Sequence, residues 1–330
     1  MMKKVVAYGE IMMRLTPPNN TLLEDTNSLN VCYGGTESNV LVVLSHLKNE
    51  TSYLTKLPDN QLGEAVKRHL LRHEVGVSDI VYGGDMLGLY FMEEGFSTLP
   101  SSVLYHRKHA AVNTLSVDDF DYDKVFEGAS WFHVTGISLA ISENSKNVTL
   151  RLCEEAKKRN MIVSFDFNYR STLWTLEEAK LVYKDIMKYV DICFGNSFDL
   201  TNFLDIDTTD ENKGIKEFLN KYNVKYLIHT KRKIINANTQ ELSGHLYSCD
   251  NEYHTEEQSF EVLDRIGGGD AFVAGIIHVL NKDINNVSEA LNLGIDLGIL
   301  KHLVKGDVLG LSLKEINKWL SNKKSKDVIR

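Results

Sequence analysis

Short apolar runs and helix-period segments alternate along most of this 330-residue chain, and that order leaves few folds open. Residues 5–8, 51–55, 131–135, 162–166, 192–195 and 226–229 are short apolar stretches with polar bounds, the pattern of buried strands. Segments 37–47, 61–73, 143–159, 176–188, 211–222, 270–281 and 287–304 carry helical spacing instead. Strand and helix taking turns predicts βαβ units, a mostly parallel sheet and helices on both of its faces. In such sheets the ligand site lies beyond the carboxyl ends of the strands.

Two stretches break the alternation. Residues 11–33 and 86–108 contain strand-like patterns, Ile11–Leu15, Gly88–Glu93 and Ser102–Arg107, with no long helix between them. They predict a small separate sheet. Four prolines, no internal repeat and no low-complexity linker argue for one domain over 1–330, to which this small sheet belongs.

The chemistry concentrates in Asp264-Arg265-Ile266-Gly267-Gly268-Gly269-Asp270, followed at once by the apolar Ala271-Phe272-Val273-Ala274. Glycines allow a tight turn and let backbone N–H groups approach a ligand. The apolar run predicts a helix starting there, and a helix N-terminus offers unpaired donors to an anion. Asp270 stands at the mouth of the turn. It either caps the helix or takes a proton from a hydroxyl beside a phosphate, which is phosphoryl transfer to an alcohol.

Composition narrows the partners. Lys and Arg number 37 against 45 Asp and Glu, a net charge of −8 without a basic stripe, which argues against nucleic acid. Cationic clusters at 231–233 and 323–326 read as local features, the second as a solvated tail. The four cysteines, Cys32, Cys153, Cys193 and Cys249, form no C-x-x-C and fit a reduced, cytoplasmic setting. No apolar run is long enough to span a membrane, and Glu10 ends the first apolar stretch too early for a signal peptide. There is no Walker A sequence and no G-x-G-x-x-G after an early strand, so P-loop and dinucleotide-binding folds are disfavoured.

The Asp-x-x-Gly-Gly-Gly-Asp signature and its helix resemble the C-terminal motif of the ribokinase-like sugar kinases, and Arg265-Ile266 is similar to the 2-keto-3-deoxygluconate (KDG) kinase branch. The resemblance extends to about residue 320. Tyr33-Gly34-Gly35-Thr36-Glu37-Ser38-Asn39 looks like the N-terminal signature of that family, and Asp166-Phe167-Asn168-Tyr169-Arg170-Ser171-Thr172-Leu173-Trp174 resembles its D-x-N-x-R-x-x-L-W run. The implied architecture is a ribokinase-like three-layer α/β/α fold with a small β-sheet lid that also joins subunits of a homo-oligomer.

The implied reaction moves the γ-phosphate of ATP, with Mg²⁺, to the 6-hydroxyl of KDG. Asp270 is then the base, and Gly267, Gly268 and Gly269 with Arg170 hold the transferring charge. Gly34, Gly35, Asn39, Tyr90, Tyr105, Arg107, Arg170 and Asp270 bind the sugar acid, with Tyr90, Tyr105 and Arg107 as a rim for its carboxylate. Asn168, Asn196, Thr230, Gly267 and Gly269 meet the nucleotide. Asp199 stands where the family has Glu and implies a water-mediated metal contact; a monovalent cation is implied near Asp264. Asp166 is either a direct contact or a strand-end carboxylate, and Trp174 is packing.

The chain departs from the family at Lys48 and Pro58, where glycines are usual; both read as surface turns. It departs further at 229–235, where His229-Thr230-Lys231-Arg232-Lys233 replaces a Gly-containing turn beside the nucleotide. Alternatives are a same-fold kinase for fructose or 2-keto-3-deoxygalactonate, or a non-catalytic sugar-acid-binding regulator, against which the retained Asp270 argues.

Overall fold

The computed structural model describes residues 3–96, 98–236 and 238–322; the basic tail at 323–326 lies outside them. Six strands pair in parallel in the order Thr51–Leu54, Lys4–Tyr8, Ala129–Thr135, Ile162–Asp166, Ile192–Phe194 and Tyr226–Ile234. Both faces are covered. Val5, Ala7 and Trp131 belong to one core, while their neighbours Val6, Tyr8 and Phe132 belong to the other, the period-2 alternation of a doubly covered strand. Helices Thr36–His46, Gly268–Leu280 and Val287–His302 close the first core. Helices Glu143–Lys158, Leu176–Ile186, Ser197–Leu204 and Glu211–Tyr222 close the second. Trp131, Phe132, Phe165 and Phe218 are fully buried, and each such side chain contributes about 1.5–3 kcal/mol. The three-layer α/β/α expectation holds.

The strand at 226 does not turn where a turn was expected. It runs on to Ile234 and pairs antiparallel with Thr239–Tyr247, in a register that sets Thr230 opposite Gly244 and Arg232 opposite Leu242. Glu252–His254 and Gln258–Glu261 complete this antiparallel extension. The cations of 231–233 therefore alternate between faces. Lys231 approaches Glu211 at 3.7 Å and Lys233 pairs with Glu241 at 2.7 Å on the solvated side, which is why the segment reads as polar and loop-like.

A separate four-stranded sheet orders Asn30–Gly34, Met12–Thr16, Leu89–Glu93 and Ser102–His106. Its inner residues Met12, Tyr90 and Met92 form a small core with Ile266, so this sheet sits directly on the glycine loop. Its outer strands leave Val31, Val103 and Leu104 exposed. Helices Gly136–Ala140, Ser197–Leu204 and Leu313–Asn322 lacked a clear sequence signal. Lys48 does occupy a turn, at φ 68, where glycine is the easier residue. Pro58 is buried rather than at the surface.

Candidate active site

The glycine run opens helix Gly268–Leu280, with Gly267 as its cap residue at φ 82. The first helical bond runs from Ala271 N–H to the Gly267 carbonyl. The N–H groups of Gly268, Gly269 and Asp270 therefore precede the ladder and form the donor set of the helix end. Each glycine has its own reason to be one. A Cβ on Gly267 would lie 1.9 Å from the Asp307 carbonyl oxygen, and one on Gly268 2.1 Å from His302 Cε1. At Gly269 a Cβ would meet nothing within 4 Å, because this residue faces open space.

That space is a cleft of two rooms. The first, about 420 Å³, gathers Gly34, Gly35, Asn39, Tyr90, Tyr105, Arg107, Asn168, Arg170, Gly267, Gly269 and Asp270. The second, about 340 Å³, is lined by Asn168, Asn196, Asp199, Thr230 and Gly269. Asp166, Asn168 and Gly269 line both rooms and so mark their junction. Gly268 lines neither; it is buried beneath the loop. Gly267, expected both in the anion hole and at the nucleotide, borders the first room.

Asp270 does not cap its helix. Its Oδ2 accepts a 2.7 Å bond from Asn39 Nδ2. Burial raises its pKa to about 7 against the lowering effect of Asn39; Asp166 and Glu37 add to the rise and Arg170 opposes it. A carboxylate so placed titrates near neutrality, which suits a general base. Asn39 was expected to reach sugar hydroxyls. Its Oδ1 also accepts from Gly35 N–H at 3.3 Å, and its second Nδ2 hydrogen is left for a ligand in the first room, which Asn39 lines.

Tyr90, Tyr105 and Arg107, expected as a carboxylate rim, lie together on the wall of the first room, and Tyr90 and Arg107 already have partners there. Tyr90 and Tyr105 are register partners on adjacent strands, with ring centroids 5.8 Å apart. The Tyr90 hydroxyl donates to Asp307, which leaves only its lone pairs for a ligand. Arg107 follows the Ser102–His106 strand, lies over the Tyr105 ring and is paired through Nη2 with Glu10. Arg107 Nε and Glu10 Oε1 are buried without a partner. Glu10, at the carboxyl end of the first strand, is 4% exposed, and burial raises its pKa despite Arg107.

Around the junction, Asp166 accepts from Asn168 N–H at 3.0 Å. Burial and then Asp199 raise its pKa to about 7, with Arg170 and the Asn168 bond opposing. Asp199 closes a capping box on helix Ser197–Leu204, accepting from Asn196 N–H at 2.8 Å, while Asn196 Oδ1 accepts from Phe198 N–H. Burial raises Asp199 to about 6 against that bond. Asp199 therefore has a structural duty as well as a place on the wall of the second room. Trp174 stacks edge-on against Tyr183 and does not line either room. Arg170, exposed, borders the first room, as do Arg232 and Arg265.

Over residues 2–311 the chain matches the family model described as pfkB family carbohydrate kinase. The chain belongs to the pfkB family of carbohydrate kinases. The kinase is 31% identical over 324 residues to the 2-dehydro-3-deoxygalactonokinase of Haloferax volcanii, covering 97% of each protein. It is 29% identical over 281 residues to a 5-dehydro-2-deoxygluconokinase of Clostridium perfringens, covering 83% of this chain and 80% of that one. Its fold superposes on the crystal structure of 2-dehydro-3-deoxygluconokinase from Thermotoga maritima with a TM-score of 0.91 and 34% identity, over 97% and 99% of the two chains. The fold is ribokinase-like, and the activity class is phosphoryl transfer to a carbohydrate hydroxyl.

Several residues at the kinase cleft were not legible as site residues. Glu10 carried a usable signal, a carboxylate at the end of the first strand. Arg232 was noted only as one of three loop cations; its position on the room-facing side follows from strand alternation. Asp307 had no local signal. Glu37, buried and accepting bonds from Thr135 and Ser138, stood inside a recognised motif without an assigned task.

Proposed function

We propose that this kinase phosphorylates 2-keto-3-deoxygluconate at its 6-hydroxyl, using ATP and Mg²⁺. The observation that carries this reading is one cleft in which Asp270 and the helix-end donors face the same space as the Tyr105–Arg107 rim. The three relatives above, each named for a keto-deoxy sugar acid, support the acid class. Asp270 accepts the proton of the attacking hydroxyl. The N–H groups at the start of helix Gly268–Leu280 and Arg170 hold negative charge on the group in transfer. Arg232 and Arg265 add positive charge on the same side.

Asp166 and Asp199 suit a magnesium ion held mainly by phosphates and water. Among the described residues no cluster of three or more ligating side chains surrounds a point, which agrees with that mode of binding and not with an all-protein cage. When bound, the ion neutralises phosphate charge. The described residues contain no helix long and apolar enough to cross a membrane.

The test is coupled ADP release over KDG, 2-keto-3-deoxygalactonate, 5-keto-2-deoxygluconate and fructose. KDG should give the highest kcat/KM. The galacto epimer is the second reading, favoured by the 31% identity to the Haloferax kinase, and a higher kcat/KM for it would replace the first. A preference for fructose would overturn the acid class.

Arg107→Leu should raise KM for the sugar acid about 10- to 100-fold, from charge-assisted bonds worth about 1.5–3 kcal/mol each, with a smaller effect on fructose. The same substitution strands buried Glu10, so the Glu10→Gln/Arg107→Leu pair should show the same selectivity loss. Equal losses on acid and neutral sugars would mean that Arg107 only supports the rim.

The acid limb of kcat/KM should lie near pH 7. Asp270 works deprotonated and its pKa is raised to about 7, so activity falls as pH drops through that value. The Asn39 bond favours the charged form, so Asn39→Leu should move the limb to higher pH. A limb in the ordinary carboxylate range would remove Asp270 as the titrating base.

A further inference from the structure

The family resemblance implied a monovalent cation near Asp264, and the residues there do not fit one. Asp264 is 5% exposed. Its Oδ1 accepts from Ile266 N–H at 3.1 Å; its Oδ2 accepts from Arg14 Nη1 at 2.9 Å and from Gly306 N–H at 3.0 Å. Asp307 is 3% exposed, accepting from Arg14 Nη1 at 2.9 Å on one oxygen and from the Tyr90 hydroxyl on the other. Arg14, on the small sheet, is 1% exposed and also donates from Nε to Thr16 Oγ1 at 2.9 Å. Lys301 is a second fully buried cation; its Nζ donates to the Val304 carbonyl, and its Cε lies 3.3 Å from a Cβ position on Gly267. Arg14 is thus ion-paired with both Asp264 and Asp307, and Lys301 lies within reach of the charge of both. Glu94, nearer solvent, is shared between Arg14 and Lys305 at 3.4 Å each. One more cation would enter a dry site with uncompensated charge and with the carboxylate oxygens already bonded.

We propose that Arg14 is the resident cation of the glycine loop, a guanidinium from the small sheet that replaces a dissociable monovalent ion and positions the loop for catalysis. It touches no reacting atom. It acts by holding Asp264, which fixes the turn through Ile266 N–H, against Asp307, whose carbonyl packs on Gly267. Small sheet and anion site are thereby tied across 250 residues of sequence.

The experiment is a salt series on the full chain in potassium, sodium, caesium or choline chloride at equal ionic strength. Turnover should stay within about twofold across the salts. The melting temperature, which a specifically bound ion would raise by linkage, should also be the same in each. A potassium- or sodium-specific rise in either quantity overturns the proposal. The activity arm rests on the kinase reading: no transfer to any acceptor in any salt would count against that reading, and the melting arm would still decide this one.

Arg14→Ala, checked for folding by circular dichroism, should lose more than about tenfold in kcat with little change in either KM, and millimolar methylguanidinium should restore part of it. Unchanged kcat in a folded Arg14→Ala would remove the positioning role. Should that variant not fold, Arg14→Lys keeps the charge but not the fork, and it should fall between the wild type and one-tenth of its turnover; full wild-type turnover there would count against a guanidinium-specific role.

Discussion

Asp270→Asn should lower turnover by about 10²–10⁴-fold while acceptor binding changes little. The substitution keeps the side-chain shape and can still accept the Asn39 bond through its amide oxygen, so the loop has no reason to move. It removes the carboxylate whose titration near neutrality suits it to receive a hydroxyl proton. It also removes one negative charge facing Asp166 and Glu37, so stability should hold or rise slightly. The discriminating control is Asp166→Asn. Asp166 is raised to a similar pKa and lines the same junction, but it also takes the Asn168 backbone N–H. If Asp166→Asn proves the more damaging to kcat and Asp270→Asn stays near wild type, the base has been assigned to the wrong carboxylate. Single-turnover and steady-state ADP release on both variants make the comparison.

The glycine loop should separate into two phenotypes. Gly267→Ala should lose both stability and activity. A non-glycine residue at φ 82 costs about 1–2 kcal/mol, and the new Cβ would stand 1.9 Å from the Asp307 backbone oxygen, which cannot step aside as a side chain could. Displacing Asp307 also disturbs Arg14 and Tyr90, so the midpoint of denaturant unfolding should fall clearly. Turnover should fall at least the ~10²-fold seen when a preorganised anion-site donor is lost. Gly269→Ala should lose activity alone. Its Cβ meets nothing, and alanine is the better helix former by up to about 1 kcal/mol, so the unfolding midpoint should hold or rise. The methyl group projects where both rooms meet, so transfer should slow by about tenfold or more. Equal loss of stability in the two variants, or an active Gly269→Ala, would place the anion elsewhere.

Much of this was readable in one dimension because the signals are local. The alternation of apolar runs and helical spacing specified the parallel sheet, since each strand and helix must bury its own apolar face. The Asp264–Asp270 run marked a helix start with donors facing outward, and the end of strand Ile162–Asp166 marked a wall of the cleft. Ion pairing was not local. Arg107 reads as a free cation on a β-ribbon until Glu10 is folded against it. Arg14 reads as one polar residue in an apolar strand until Asp264 and Asp307 arrive beside it. The polar segment 229–235 reads as a loop until Thr239–Tyr247 pairs with it.

By itself, then, the sequence determined the layers and the glycine-lined helix end with a carboxylate at its mouth, because backbone conformation and amphipathic burial depend on residues a few positions apart. Tertiary structure alone decided which charges are spent on one another and which face the cleft. Partner choice in a buried ion pair depends on groups brought within about 3 Å from distant parts of the chain, where loss of water makes each pairing strong enough to set a side chain's role.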